Sequence, residues 1–292
     1  MTSTSTVSDV DRRLRRHRAT TVVATTLKYL SLIAGSLVVL LPLVTILLTS
    51  LKTPQEMANG QTLSAPKNWL NFDNYTTAFA KGAMVQGFVN TTIILLVSVV
   101  GTVLIGTMAA YAIDRFRFRL KRVVVGAFLV AALVPSVTTQ VTTFQVVTTL
   151  GVYNSRWAPI LIYLGTDIVA IYIFIQFMSS IPISLDEAAR IDGASNLQIY
   201  WTIILPLLKP AIVTVVIIKG IFVYNDFYIP FLYMPSSDLG TVSTSLFRFK
   251  GPFGAHWETI SAGAVLVIIP TLLIFVLLQR FIYNGFTSGA TK

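Results

Sequence analysis

Long apolar windows constrain this chain more than any other feature of its sequence. A helix needs about 20 predominantly apolar residues to cross a bilayer, and six windows reach that length. They lie at about 30–50, 87–111, 123–147, 158–178, 210–232 and 260–283. Backbone groups in hydrocarbon must find hydrogen bonds within their own segment, which favours helices. The windows therefore predict an all-α membrane protein with six transmembrane helices.

The composition leaves little room for a separate soluble domain. Charged residues make up 12% of the chain and hydrophobic residues 54%, whereas a soluble domain carries about 25% charged residues. The longest connections between windows are only about 25–35 residues. We therefore divide the chain into a basic N-terminal tail at 1–28 and a six-span domain at 29–292.

The distribution of charge predicts the orientation of the spans. The net charge of +10 is compatible with a nucleic-acid partner, but its placement argues against one. One basic cluster precedes the first span and another follows the second, whereas the loop 51–86 between them carries only Lys52, Lys67 and Lys81. The positive-inside rule then places the N-terminus in the cytoplasm. Six spans return the C-terminus to that side, and they place 52–86 and 233–259 outside.

The polar connection at 179–209, called the knob below, carries strong local signals for short helices. Ser184 and Glu187 have the spacing of a capping box, which predicts a helix from about Leu185. Gly193 can take the left-handed conformation that ends such a helix. Ser195 and Gln198 offer a second capping box, followed by a helix that runs toward Pro206. The knob is therefore predicted to be a rigid helix–turn–helix.

The spacing within the knob resembles the EAA loop of ABC-importer permeases. It reads Glu187-Ala-Ala, three residues, Gly193, nine residues, and then Ile203-x-Leu-Pro206. Similarity to carbohydrate importers of this type extends over nearly the whole chain after residue 28, and the smaller permease of maltose-type importers is the most similar kind. It rests on segments 49–53, 66–69, 72–75, 177–182, 224–227, 279–285 and 288–290. Tyr224 and Asp226 depart from the family, where Trp and Glu are frequent.

The resemblance implies a type I ABC importer permease in a bacterial-type cytoplasmic membrane. Its partners would be a second homologous permease, two cytoplasmic ATP-binding subunits, an extracytoplasmic solute-binding protein and a sugar or oligosaccharide. The residues implied in coupling to the ATPase are Glu187, Ala188, Ala189, Asp192, Gly193, Leu205 and Pro206. The outer loop implied in contact with the binding protein includes Gly251, Pro252, Phe253 and Gly254.

Polar residues inside the spans are candidates for a translocation path. A charge at the bilayer centre costs about 2.5–3.5 kcal/mol on insertion scales, so it should face protein or water. The candidates are Gln140, Lys219, Asn225 and Asp226. Lys219 and Asp226 lie two helical turns apart, about 10 Å, which is too far for a simple direct pair. Two interpretations stay open for them, path lining and structural pairing between helices; for Asp167 we favour the structural one.

No motif in the sequence predicts catalysis or a bound cofactor. The chain has no P-loop, no His-Glu-x-x-His and no nucleophile elbow. It has no cysteine, and His17 and His256 are predicted on opposite sides of the membrane, so no metal site is expected. The alternatives are a permease for a polyol, glycerol phosphate or peptide, a stand-alone secondary transporter, and a membrane-embedded enzyme.

Overall fold

The structure is a computed structural model that describes residues 4–60, 63–135, 137–165, 167–251 and 254–288. The regular secondary structure of this part is helical, apart from one hairpin of two short strands. In chain order the α-helices are α1 (Thr4–Ser50), α2 (Pro54–Ala58), α3 (Asp73–Lys81), α4 (Met84–Arg115), α5 (Lys121–Ala132), α6 (Gln140–Thr149), α7 (Trp157–Leu164), α8 (Ile168–Met178), α9 (Ser184–Ile191), α10 (Asn196–Ile199), α11 (Leu205–Leu207), α12 (Lys209–Asn225), α13 (Tyr228–Tyr233), α14 (Val242–Ser245) and α15 (Trp257–Ser288).

Shorter elements complete the path of the backbone. A π-helical turn at Tyr200–Ile204 joins α10 to α11, and two 3₁₀ turns flank α14 at Ser237–Leu239 and Leu246–Phe249. The strands β1 (Lys250–Gly251) and β2 (Gly254–Ala255) pair antiparallel in the second outer loop. They place a tight hairpin just before α15.

Among the described residues, three helices are long and apolar enough to cross a bilayer without a break. They cover Thr21–Ser50, Met84–Arg115 and Trp257–Leu277. The first two include the first and second predicted windows, and the third covers the sixth window as far as Leu277. Helix α1 begins at Thr4 and passes through the predicted basic tail without interruption, so residue 28 is not a boundary in the backbone. The side of the membrane on which the tail lies stays a prediction.

The third predicted window is not one helix. It is divided between α5 and α6, and neither of these reaches the length of a span. The segment between them contains Pro135, which has no backbone N–H to donate and disfavours a helical conformation at the residue before it. The length of the apolar window predicted one continuous span, whereas the structure divides it into two helices.

The fourth predicted window is bent, and a second bend lies just before the fifth. Helices α7 and α8 meet at 42°, and the segment Asn196–Leu207 meets α12 at 73°. Counting each bent pair as one span gives up to five spans among the described residues, so the total of six stays a prediction. Helix α12 also ends earlier than the fifth window predicted, at Asn225, and α13 follows as a separate helix.

Helix α4 is the central element of the packing. It contacts α7, α8, α12 and α14, whereas α1 packs mainly against α15 and is mostly exposed over Thr21–Ser50. A Cβ atom at Gly106 of α4 would lie 3.0 Å from the Phe174 ring of α8, so the absence of a side chain permits this close approach. The main buried cluster then continues from α4 and α8 to Tyr200 and Ile204 of the knob.

The knob has the predicted helix–turn–helix, with one difference at its start. Helix α9 is preceded by Ile183 as N-cap, and the N–H groups of Asp186 and Glu187 both donate to the Ile183 carbonyl. Ser184 is therefore the first helical residue, and the predicted Ser184–Glu187 capping box is wrong. The helix begins one residue earlier because Ile183, not Ser184, supplies the first accepting carbonyl.

The turn that follows α9 has the predicted chemistry. Gly193 has φ +83, in the left-handed region, and its N–H donates to the Arg190 carbonyl. The N–H of Ala194 donates to the Ala189 carbonyl, which completes a Schellman motif. The second capping box is confirmed, since Ser195 and Gln198 bond each other's backbone N–H groups.

Candidate functional site

The first candidate site is the outward face of the knob. Glu187 and Ala188 are exposed on α9, as are Asp192 and Gly193 at the end of the helix. Ile191 is 86% exposed, the highest value among the large apolar residues of the described chain. Ile191 is not among the predicted coupling residues. Its position three residues after Ala188 and four after Glu187 places it on their face of the helix, which was the available indication.

Other predicted coupling residues point inward. Ala189 is half-buried and packs against the main core cluster together with Ala194. Leu205 packs against the same cluster, while Pro206 is exposed next to the bend that precedes α12. Their position indicates that Ala189 and Leu205 hold the knob against the membrane helices, whereas Glu187, Ala188 and Ile191 are available to a partner.

A buried ion pair fixes the knob to the end of α4. Arg115 Nε lies 2.9 Å from Asp186 Oδ2, close enough for an ion pair although the alignment falls short of a hydrogen bond. The two side chains are only 3% and 1% exposed. Arg115 also donates to the Ile181 carbonyl at 2.8 Å and to Asp114 Oδ2 at 2.8 Å. The sequence analysis missed this pair because nothing local links the two residues.

Aromatic side chains make a second connection between α4 and the knob. Thr107 and Tyr200 share a hydrogen bond of 2.7 Å between their hydroxyl groups, both of them buried. The rings of Tyr111 and Tyr200 lie 5.6 Å apart between centroids, and the Tyr111 hydroxyl donates to the Asn196 carbonyl at 3.3 Å. These contacts join the knob to α4, and neither part can shift alone without breaking buried contacts.

The second candidate site is a cavity of about 610 Å³ that we call the polar cavity. It lies between α6 on one side and the junction of α12 with α13 on the other. Three predicted path residues line it together: Gln140, Asn225 and Asp226. The remaining lining is Thr139, Thr143, Ile162, Ile221, Phe222, Phe227, Tyr228, Ile229 and Tyr233.

Lys219, the fourth predicted path residue, lines a neighbouring cavity of about 530 Å³, called the ion-pair cavity below. Its Nζ lies 2.8 Å from Asp167 Oδ2. The other carboxylate oxygen of Asp167 accepts the N–H of Ala170 at the start of α8. This is the pairing between helices that the sequence left as an alternative, although both side chains still line the cavity. The two cavities share Ile162, Phe222 and Ile229 in their walls.

Asp226 is held by hydrogen bonds at the break between α12 and α13. Its Oδ1 accepts the N–H groups of Tyr228 and Ile229, at 2.8 Å and 3.3 Å, which caps α13. Its Oδ2 accepts the hydroxyl of Tyr163 at 2.8 Å. Lys219 and Asp226 thus have different partners, in agreement with their predicted separation along the helix.

The outer hairpin is the third candidate. Gly251 and Gly254 lie at the facing ends of β1 and β2, and Gly254 has φ +155. The predicted contact residues Pro252 and Phe253 lie outside the described residues. Nearby, Arg248 donates to the Ser237 carbonyl and joins the hairpin to the rest of the outer loop. No group of three or more potential metal ligands occurs among the residues that were described.

Comparison with known proteins places these features in a family. Residues 102–287 match the family model described as binding-protein-dependent transport system inner membrane component. The galactooligosaccharides transport system permease protein GanQ of Bacillus subtilis (strain 168) is 36% identical over 226 residues, which cover 76% of this chain and 80% of GanQ.

Two further proteins are similar over nearly their full length. The probable starch degradation products transport system permease protein AmyC of Thermoanaerobacterium thermosulfurigenes is 33% identical over 91% of this chain and 97% of its own. A solved bacterial ABC transporter involved in import of the acidic polysaccharide alginate has a chain with TM-score 0.77 and 22% identity, covering 91% of this chain and 97% of that one. The chain therefore belongs to the family of inner membrane components of binding-protein-dependent transport systems.

Proposed function

We propose that the chain is a permease subunit of an ATP-driven importer for a sugar or oligosaccharide. The observation that carries the proposal is its similarity, over most of its length, to permeases named for galactooligosaccharides and for starch degradation products. The polar cavity is consistent with such a substrate, because amide, hydroxyl and carboxylate groups there adjoin aromatic rings. The chain itself carries no catalytic constellation in this proposal, and ATP is hydrolysed on a separate partner.

The knob is proposed to dock on that ATP-binding partner. Its outward face offers Glu187, Ala188 and Ile191, while Asp186 and Tyr200 connect it to α4 through buried contacts. A rigid helix that exposes Ala188 and Ile191 fits a groove better than a flexible loop does, since less conformational freedom is lost on docking. Movement of the ATPases would then reach α4 and the membrane cavities through Arg115 and Tyr111.

The polar and ion-pair cavities are proposed to form this chain's part of the translocation path. The proposal is supported by Gln140, Lys219, Asn225 and Asp226, which line the walls of these cavities. A second homologous permease would supply the remaining wall, and the solute-binding protein would approach the hairpin from outside. We place the complex in a bacterial-type cytoplasmic membrane, with both termini in the cytoplasm.

Uptake by the complete transporter tests the function. The chain is expressed with a candidate second permease, ATPase and binding protein. Uptake of radiolabelled galactooligosaccharides, maltodextrins, glycerol 3-phosphate and a tripeptide is then measured. We expect uptake of a saccharide that requires both ATP and the binding protein. Uptake of glycerol 3-phosphate or the peptide alone would favour another solute class. Uptake driven by an ion gradient without the ATPase would favour a secondary transporter.

Replacement of the hairpin residues 251–254 by two glycines tests the contact with the binding protein. The complex should still assemble with its ATPases, because the hairpin lies away from the knob. Stimulation of ATP hydrolysis by the loaded binding protein should be lost. If stimulation and uptake both persist, the hairpin is only a connector or a lipid anchor.

A further inference from the structure

The charges of the side chains that line the two membrane cavities do not sum to zero. Three charged side chains line them: Asp167, Lys219 and Asp226. Asp167 and Lys219 form an ion pair at 2.8 Å, which neutralises both. Asp226 makes no ion pair within the part of the chain that the structure describes; its partners are the Tyr163 hydroxyl and two backbone N–H groups. One negative charge is therefore left in the wall of the polar cavity.

The other groups in the polar cavity suit an uncharged, hydroxyl-rich ligand. Gln140 lines the wall, and its side-chain amide makes no hydrogen bond to the described residues. The Asn225 amide uses its nitrogen to donate to the Ile221 carbonyl, which leaves its oxygen as an acceptor. Phe222 and Tyr228 are 55% and 49% exposed and present ring surface beside these groups. Aromatic faces next to amide and carboxylate groups can bind both the apolar faces and the hydroxyls of a sugar ring.

We propose that Asp226 makes this half of the path selective against anionic solutes, so that the transported sugar is neutral rather than acidic. The inference rests on the proposed function, because it takes the polar cavity as part of the path. A carboxylate-bearing sugar in this cavity would meet the Asp226 charge in a setting of low dielectric constant, where like charges repel more strongly than in water. A neutral sugar would meet the same carboxylate as a hydrogen-bond acceptor.

The electrostatic potential of the cavity can be measured directly, because the native chain has no cysteine. Gln140→Cys places a thiol in the wall of the polar cavity. The assembled transporter, with cysteine-free partner subunits, is treated in lipid nanodiscs with a cationic or an anionic methanethiosulfonate reagent of similar size. Modification of this chain is followed by mass spectrometry. The same thiolate attacks either reagent, forming a mixed disulfide and releasing methanesulfinate. The rate with each reagent is divided by its rate with a free thiol, and the ratio of the two normalised rates reports the local charge.

We expect the cationic reagent to be favoured, and Asp226→Asn to lower that preference by roughly fivefold. Asparagine has nearly the same shape and can still accept the Tyr163 hydroxyl and the backbone N–H groups, so the cavity should be retained. Asp238→Asn is the matched control: it removes the same charge from an exposed residue outside the cavity, and it should leave the ratio unchanged.

The outcomes separate this proposal from the function on which it rests. Equal normalised rates for the two reagents would overturn the proposed charge selectivity. The same result would show that solutes can reach the cavity, so the proposed path would stand. A preference that persists in Asp226→Asn would assign the selectivity to another residue and overturn the role of Asp226. If neither reagent reaches the thiol in any state of the ATPase cycle, the polar cavity is not part of the translocation path. The proposed path and the proposed selectivity are then both wrong.

Discussion

Single residues decide how the knob can act on a partner. Ile191 is the most exposed large apolar residue of the described chain, yet it lies on a short helix whose ends are fixed by a Schellman turn and buried contacts. An exposed apolar side chain on a rigid support is typical of a residue that fills a pocket in a partner, where a few residues carry most of the binding energy.

Replacement of Ile191 tests this interpretation. Ile191→Asp should lower ATP-driven uptake by more than about tenfold, because a central contact is lost and a charge must be desolvated at the interface. The measurements are uptake and the amount of ATPase that co-purifies with the chain. Leu70→Asp is the control, since Leu70 is 77% exposed in the predicted outer loop. Normal uptake and co-purification with Ile191→Asp would exclude a docking role.

The buried ion pair makes a prediction about stability. Asp186→Ala leaves Arg115 with Asp114 and the Ile181 carbonyl only, and the loss of one partner from a buried pair costs on the order of 3 kcal/mol. The thermal unfolding midpoint of the detergent-solubilised protein should fall. The double variant Arg115→Met with Asp186→Leu should recover much of the loss, since no charge is then left unpaired. Asp192→Ala, at an exposed residue of the same knob, should have little effect; an equal loss there would contradict the assignment.

At the scale of elements, the contact between α4 and α8 depends on a residue without a side chain. The Phe174 ring occupies the space where a side chain at Gly106 would begin. Helix α8 leads into the knob, and α4 packs against both α8 and the knob. We regard these three parts together as the rigid part of the chain, whereas α5 and α6 have few buried residues of their own.

A substitution at Gly106 tests the importance of this contact. Gly106→Leu should lower the free energy of unfolding by about 1–3 kcal/mol, because the new side chain must displace Phe174. The thermal midpoint of the purified chain gives the measurement. Gly126→Leu in α5 is a matched control. It also replaces a helical glycine, but no neighbouring atom lies within 4 Å of the new Cβ position. A Gly106 variant as stable as this control would show that the contact is loose.

At the scale of the whole molecule, the topology has still to be measured. The predicted orientation places the knob in the cytoplasm and the loop that contains Asn59 outside. Because the native chain has no cysteine, a membrane-impermeant maleimide can detect one introduced residue at a time. Asn59→Cys should react in intact cells, whereas Ser195→Cys should react only after permeabilisation. Reaction of Ser195→Cys in intact cells would contradict the orientation and the count of six spans.

Local sequence patterns determined the features that depend on neighbours along the chain. The apolar windows predicted membrane helices, Gly193 and Ser195 predicted the turn in the knob, and the polar residues within apolar windows marked the wall of a cavity. The helices and the turn could be predicted because helix periodicity, left-handed turns and capping boxes each depend on residues only a few positions apart. The Ser184 box failed by one residue, which is the usual uncertainty of a helix end.

Only the tertiary structure decided which distant residues meet. It paired Arg115 with Asp186, Lys219 with Asp167 and Tyr163 with Asp226, and among the described residues Asp226 has no cationic partner. Such pairs depend on how helices are rotated and how closely they approach, and that geometry is fixed by packing between segments rather than by any pattern within one. For the same reason, candidate path residues could be predicted from the sequence but their cavity could not, because a cavity exists only once the helices that enclose it are in place.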